Sequence, residues 1–531
     1  MTALTSLKEE PPMPIETQPY DRRWQALIVL ALSLLVVMIG NTILNVALPT
    51  IQSELDASST ELQWIVDGYL LVFAGLLLAA GTLGDRFGRR KALFAGLVTF
   101  AIGSVCASLA DTSTALIASR AVMGLGAAAI MPTTLSILAN IFPEDERPKA
   151  IAAWAAVSGL GIAIGPTSGG WLIEHFDYSS IFLINLPVVA ACLIAGAFLI
   201  PESRDPESPK LDILGCALSI AGLSAIVWGL IEAPERGWTS PTIIGAFAAG
   251  IAIVGAFIAW ERRCKQPMLD VSVFRNLRFS AANLSVTLVF FALMGVMYFL
   301  TTYLQSVLGY DALEAGIRML PIAAGLILAT KLSVALERRF GTKLVVANGL
   351  FQVAGALFMI TRFGVDTGYG EIALVLGSLG MGIGMAIAPA TEAIMGALPP
   401  AKAGIGSAMN DVVREVGGTL GIAVLGSVLS SRYSSGMDEA TAGMPAGAAE
   451  AASDSVGAAH EVAAQLGATG GRLIDASNAA FVDAMTTTAT IGAAVAVFGA
   501  LIAAAFLPAR AGRPAPEELD APVLELEPAT A

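Results

Sequence analysis

The sequence predicts an all-α protein that crosses a membrane fourteen times, and three observations carry that expectation. The 531 residues are 55% hydrophobic and 14% charged, with a mean hydropathy of +0.72, whereas soluble domains carry roughly 25% charged residues. Apolar runs of about 20 residues, enough to cross ~30 Å of hydrocarbon, recur near 24–48, 62–82, 92–110, 114–139, 150–173, 179–199, 213–231, 241–260, 281–307, 313–334, 343–362, 371–397, 404–430 and 480–507. A short basic segment divides two early runs and returns, relaxed, 253 residues later.

That segment, Gly81 to Lys91, packs one acid, four bases and three glycines between apolar spans. Such composition is too costly for hydrocarbon and predicts a tight loop at a membrane surface. The copy at Leu336–Lys343 keeps Leu, Arg, Phe, Gly and a base at the offsets of Leu83, Arg86, Phe87, Gly88 and Arg90, but has Arg338 where the first has Asp85. A basic turn recurring in two halves of an apolar chain predicts a duplicated membrane transporter.

Orientation follows from the bases. With the N-terminus inside, inner loops and tails hold 22 of the 30 Lys and Arg, and the outer loops hold Arg236, Arg362, Arg432 and Arg472. Both termini are expected in the cytoplasm, with the protein in the inner (plasma) membrane. The expected organisation is a tail over 1–23, a six-helix bundle over 24–200, a linker with two extra spans over 201–280, a second six-helix bundle over 281–508 and an acidic tail over 509–531. A long outer loop over 431–479 could hold an amphipathic helix near Ala448–Leu466. The net charge of −13 points to no nucleic-acid partner. Cys106, Cys192 and Cys216 fall in spans and Cys264 in a basic loop, so disulfides are not expected.

Beyond the basic loop, which reads Gly-x-Leu-x-Asp-Arg-x-Gly-Arg-Arg, further patterns follow in order. Span 4 carries Arg120-x-x-x-Gly124-x-Gly126, and span 5 carries Gly161-x-x-x-Gly165-Pro166-x-x-Gly169-Gly170. Asn41-Thr42 to Pro49, Gln63-Trp64 to Tyr69, Phe182 to Pro187 and Gly404 to Gly421 add to these. Nearly the whole chain thereby resembles the major facilitator superfamily, and within it the fourteen-helix drug:proton antiporters of the QacA/EmrB type. The resemblance implies the major facilitator fold, two six-helix bundles plus two inserted helices. It also implies proton-coupled export of hydrophobic, often cationic compounds by alternating access, with drugs or organic cations, protons and the lipid bilayer as partners and a monomer as the working unit. Gly81, Asp85, Arg86, Gly88, Arg89 and Arg90 would form a cytoplasmic gate, with topology anchoring as the plainer reading. Gly165, Pro166, Gly169 and Gly170 would serve antiport by bending or sealing, against the plainer reading of a packing kink.

Charges inside spans cost ~2.5–3.5 kcal/mol or more unless paired or wetted, so they are functional candidates by default. Asn41, Asp67 and Arg120 share a depth in the outer third of the N-terminal half, which suggests an Asp67–Arg120 interaction or separate snorkelling to water. Asp411, Arg414 and Glu415 fall at i, i+3 and i+4, on one helix face. Even a fully paired Arg414 leaves one negative charge, which a proton or a cationic substrate can relieve. Asp67, Arg120, Asp411 and Glu415 are therefore the candidate proton-coupling residues, and Asn41, Asp67, Asp411 and Glu415 the candidate substrate-binding residues. Gly40 stands where the family usually has Asp, and Leu326 where some dication exporters have Asp, which weakens an inference to divalent antiseptics.

Lys331 and Glu392 could pair across spans 10 and 12 or snorkel separately, and Arg318 reads as an interfacial anchor. Met123, Met131, Met294, Met297, Met319 and Met381 suit either a deformable cavity or ordinary packing. Trp64, Tyr69, Trp154, Phe290, Phe291, Tyr298 and Tyr303 could stack on organic cations or anchor at the interface. Alternatives are export of one endogenous metabolite, lipid, peptide or antibiotic, an uptake symporter, and a membrane enzyme or receptor. No nucleotide-binding motif, catalytic constellation or metal-ligand cluster is evident, and the two histidines, His175 and His460, fall in outer loops. No enzyme activity and no cofactor are expected.

Overall fold

A computed structural model describes residues 20–507 apart from 56, 58, 205–211, 265, 266, 268, 270, 399–402 and 467–469. The expected tails over 1–23 and 509–531 lie outside the described residues, save for Tyr20 to Arg23. Among the described residues there are helices and connections and no strand.

The first half comprises α1 (Arg23–Thr42), α2 (Leu44–Leu55), α3 (Ser59–Phe87), α4 (Arg89–Ser108), α5 (Ser113–Ile141), α6 (Arg147–His175), α7 (Ser180–Leu183) and α8 (Asn185–Leu199). An inserted pair follows, α9 (Ile213–Arg236) and α10 (Pro241–Glu261). The second half begins with α11 (Leu277–Thr302), which runs into a π turn over Tyr303–Val307. It continues through α12 (Ala312–Arg318), α13 (Leu320–Phe340), α14 (Thr342–Ile360), α15 (Tyr369–Met395) and α16 (Ala403–Met437). It closes with α17 (Ala446–Asp454), α18 (Val456–Gln465) and α19 (Gly471–Phe506).

Thirteen helical segments among the described residues are long and apolar enough to cross a membrane. The remaining expected span, 150–173, falls on α6, whose 29 residues extend ~43 Å at 1.5 Å per residue. These helices are apolar all round, as a bilayer requires. Large side chains such as Ile194, Phe198 and Leu374 stand exposed on the outside, while Phe100, Trp154 and Phe299 are fully buried.

In the first bundle α1 packs on α5, α6 and α8, and α5 on α3 and α4. In the second, α15 packs on α13 and α14, and α16 on α11 and α19. The bundles meet where α3 and α5 lie against α16, and where α6 lies against α12, α13 and α15. α9 and α10 pair with each other, and α9 covers the seam by touching both α3 and α16.

Several expected elements differ in detail. The segment Gly81–Phe87 is not a loop, because α3 stays helical to Phe87 and only Gly88 leaves the helix before α4 begins. Gly88 has φ +114°, a conformation that disfavours a side chain. The copy does the same: α13 ends at Phe340, Gly341 has φ +83°, and α14 starts at Thr342. Each basic turn is thus a one-glycine break between two helices. The first span is two helices broken at Ile43. The 431–479 loop is largely helical, since α16 runs to Met437 and α19 starts at Gly471. The amphipathic helix expected at Ala448–Leu466 is two helices, broken at Ser455, whose extended backbone lets its hydroxyl cap α18 by accepting from Ala458 N at 3.2 Å.

Candidate functional site

Two sites follow from this packing, a closure at the basic end of the bundle and a buried polar column above it. At the basic end Asp85 is 6% exposed and Arg89 1%. Arg89 Nε donates to Asp85 Oδ1 at 2.7 Å across the Gly88 break. The same oxygen accepts from the backbone N–H of Gly404 at 3.1 Å. That N–H group belongs to the first turn of α16, where no intrahelical acceptor exists and the helix dipole favours an anion. The carboxylate thereby joins the two bundles. Space there is short, since a Cβ on Gly404 would lie 2.5 Å from the Asp85 carboxylate, and one on Gly81 would lie 2.7 Å from the Gly404 carbonyl.

The neighbouring bases have described contacts on the turn itself. Arg90 donates from Nη1 to the Ile200 carbonyl at 3.1 Å and lies 3.9 Å from Glu202, and Arg86 lies 5.4 Å from the Phe87 ring centroid. In the second copy Glu337 accepts from Thr342 Oγ1 at 2.6 Å, and Arg338 donates to the Asp145 carbonyl at 3.4 Å. The copy also bridges the bundles, but through a base and a carbonyl.

In the first half, Arg120 is fully buried. Its Nε donates to the Ile65 carbonyl at 3.1 Å and its Nη1 to the Gly40 carbonyl at 3.0 Å. Gly40 offers its oxygen because α1 ends at Thr42, which leaves the last carbonyls without intrahelical donors. The guanidinium also lies 4.3 Å from the Tyr69 ring centroid. These two carbonyls and this ring are its described partners. Asp67 and Asn41 are half-buried on α3 and α1.

In the second half, Asp411 is 1% exposed and Arg414 5%. Arg414 Nη2 donates to Thr391 Oγ1 at 3.3 Å, Thr391 donates to Asn410 Oδ1 at 3.1 Å, and Asn410 Nδ2 lies 3.5 Å from Asp411 Oδ1. The guanidinium sits 4.9 Å from the Trp154 ring and 5.3 Å from that of Phe290. It makes no ion pair with either acid among the described residues. Glu415 lies within electrostatic reach of both Asp411 and Tyr69. A polar column therefore runs from Arg120 through Tyr69 to Glu415 and Asp411, and on to Arg414 and Trp154, crossing from one bundle to the other. Tyr69 Oη, Arg120 Nη2, Asp411 Oδ2 and Arg414 Nε are buried in it with no hydrogen-bond partner. Such groups are rare in finished cores.

Three of the aromatic residues offered for cation stacking, Tyr69, Trp154 and Phe290, face the protein's own arginines. Thr391 and Asn410 were not singled out by sequence, because hydroxyls and amides are common in helices and only the fold sets them beside Arg414. Glu392 is half-buried among Arg147, Glu337, Arg278 and Glu144, whereas Lys331 is exposed, so the pair considered between them is not made. Arg318 is held by Glu314 and by the Tyr310 and Tyr369 rings.

The glycine-rich face of α6 seats α1 closely. Thr42 Oγ1 donates to the Gly161 carbonyl at 3.2 Å, and a Cβ on Gly165 would come within 1.9 Å of that hydroxyl. Gly169 faces Ile43, and Gly170 faces Leu313 of α12, across the seam at the other end. α6 stays helical through Pro166.

Two helical bundles that meet at both ends around a buried, incompletely paired polar column define a membrane transporter. The chain belongs to the major facilitator superfamily, whose family model matches residues 30–422. It is 37% identical over 491 residues to the multidrug efflux pump LfrA of Mycolicibacterium smegmatis, covering 92% of this chain and 97% of that one. It is 33% identical over 510 residues to the tetracenomycin C resistance and export protein of Streptomyces glaucescens, covering 94% and 95%. It is 34% identical over 405 residues to the methylenomycin A resistance protein of Bacillus subtilis, covering 76% and 87%. Among solved structures, it resembles a bacterial homologue of the human lysosomal transporter Spinster, captured inward-facing, with a TM-score of 0.60 at 18% identity, covering 93% and 99%.

Proposed function

We propose that this chain exports hydrophobic, often cationic compounds in exchange for protons, by alternating access, in the plasma membrane with both termini in the cytoplasm. Support comes from relatives named as multidrug efflux and antibiotic export proteins. The single observation that carries the coupling is the acid pair of buried Asp411 and half-buried Glu415, neither held in an ion pair among the described residues. A carboxylate there stabilises one conformation when charged and another when protonated, which is what coupling needs. Asp67 and Asn41 would add a polar wall in the first half, and Arg120 would fix α1, α3 and α5 around it. Asp85 would close the cytoplasmic end over the column.

The decisive experiment is drug-driven proton release in proteoliposomes. Asp411→Asn and Asp67→Asn should abolish it. Full coupling in both variants would refute the assignment. The second reading, export of one antibiotic or endogenous compound, is favoured by relatives named for single antibiotics. A panel of dyes, quaternary amines and antibiotics, run with and without an uncoupler, separates one substrate from many.

A further inference from the structure

The tip of the inserted hairpin meets the second half at the end of the bundle far from the basic turns. Gly237, at φ +84°, ends α9 and sets Trp238 against α16. The indole stacks on Phe247 of α10, ring centroids 6.4 Å apart, and its Nε1 donates to Ser427 Oγ at 3.0 Å. Between this hairpin, α16 and α19 lies an open groove of about 500 Å³. Its lower wall is apolar, with Val424, Val428 and Ile491, and its upper rim carries Ser431 and Arg432 beside Trp238. Val424 and Arg432 are about two helical turns apart, ~12 Å along α16.

Arg432 is exposed and makes no ion pair among the described residues, whereas nearby Arg236 is already paired with Glu232. Asp483, one turn beyond the groove on α19, is also exposed and makes none. An uncompensated guanidinium above an apolar wall, beside a tryptophan at the end of membrane-spanning helices, suits an anionic head on an apolar tail. Guanidinium planes match phosphate, and tryptophan prefers the headgroup level. We propose that this groove seats one anionic phospholipid of the adjoining leaflet, with its phosphate on Arg432 and Ser431 and an acyl chain along Val424, Val428 and Ile491. The inserted helices thereby supply one wall of a lipid site. A transported cation is the poorer occupant, since the one charged residue lining the groove among the described residues is Arg432.

The test is native mass spectrometry of the full-length protein in detergent, titrated with dioleoyl phosphatidylglycerol and, separately, with dioleoyl phosphatidylcholine. Wild type should retain one phosphatidylglycerol in preference to phosphatidylcholine. Arg432→Glu should lower that retention at least tenfold and Arg432→Lys by less. Val428→Trp, which fills the groove and keeps the charge, should also lose the lipid. Arg472→Glu, another base at that end, should retain it. Equal retention in Arg432→Glu and wild type, or equal loss in Arg472→Glu, would overturn the site. So would unchanged retention with a raised apparent KM for an exported dye, which would make the groove a substrate portal instead.

Discussion

Replacing Asp85 with Asn isolates the part of the basic-end closure that depends on charge. The carboxylate touches both bundles, but its bond to Arg89 lies within the first bundle and survives any rotation of one bundle against the other. Only the bond to the Gly404 N–H group is broken when that end opens. Charge-assisted hydrogen bonds contribute about 1.5–3 kcal/mol and neutral ones about 0.5–1.5. Neutralising the acceptor of that bond therefore removes about 1–1.5 kcal/mol, to which loss of the interaction with the α16 dipole adds up to ~1 kcal/mol. At ~1.4 kcal/mol per factor of ten, the closed population falls by roughly 5- to 60-fold relative to the open one. Spin labels on Cys variants of Lys149 and Arg339, in a background without native cysteines, would report the separation of the bundles by electron–electron double resonance. The variant should shift the distance distribution towards longer values. An unchanged distribution would refute the assignment of Asp85 to closure, whatever the variant does to transport. A separate loss of thermal stability is expected, because Arg89 stays buried beside a neutral partner.

Other consequences can be checked more briefly. Gly88→Ala and Gly341→Ala each force a side chain into a positive-φ break, at a cost of about 1–3 kcal/mol. Gly88→Ala should lower Tm in detergent more, because its Cβ would come within 2.7 Å of the Glu202 carboxylate. The hydrogen bond from Arg23 holds the Glu146 carboxyl below its ordinary value of 4.5. That pair's contribution is full above the ordinary value and is lost as pH falls through the depressed one. Glu146→Gln should therefore flatten the acid side of a Tm-against-pH curve and leave the neutral side little changed. Trp154→Ala should cost about 3–5 kcal/mol as a buried deletion and release Arg414, measured as lower Tm and weaker drug-driven proton release. Trp154→Phe keeps a ring over the guanidinium and should recover most of both.

Much of the architecture was legible in the sequence, for a physical reason. Hydrocarbon excludes charge, so span number and the two basic turns are written in composition, and even the 253-residue spacing of Gly88 and Gly341 could be read in advance. The helical state of Gly81–Phe87 was not legible, because Asp85 and Arg89 invite a loop reading until the fold supplies the α16 N-terminus that receives the acid. The carbonyl partners of Arg120 were not legible either, because the carbonyl of Gly40 becomes an acceptor only where α1 stops two residues later. The acids of α16 were found from their i, i+4 spacing. Trp154 and Thr391, far away in sequence, could not be assigned to Arg414 without the packing of α6 and α15 against α16. In a chain whose helices are apolar on every face, periodicity does not say which side meets which neighbour.

The lengths of α16 and α19 carry a practical consequence. With 35 and 36 residues, they extend ~52 and ~54 Å, far beyond the ~30 Å of hydrocarbon. Their protruding ends are clasped with α17 and α18 by Tyr433, whose hydroxyl reaches the Ala452 carbonyl at 3.0 Å and Ser477 at 2.9 Å, and by His460 with Asn478 at 2.9 Å. The first half carries no matching knob among the described residues. The second half thus bears a one-sided handle. An epitope placed at the Gly443 turn, where φ is +84° and no atom crowds a Cβ, would ride with the second half. Bound by an antibody fragment, it would break the particle's false symmetry for imaging and turn bundle rotation into a visible swing of the fragment.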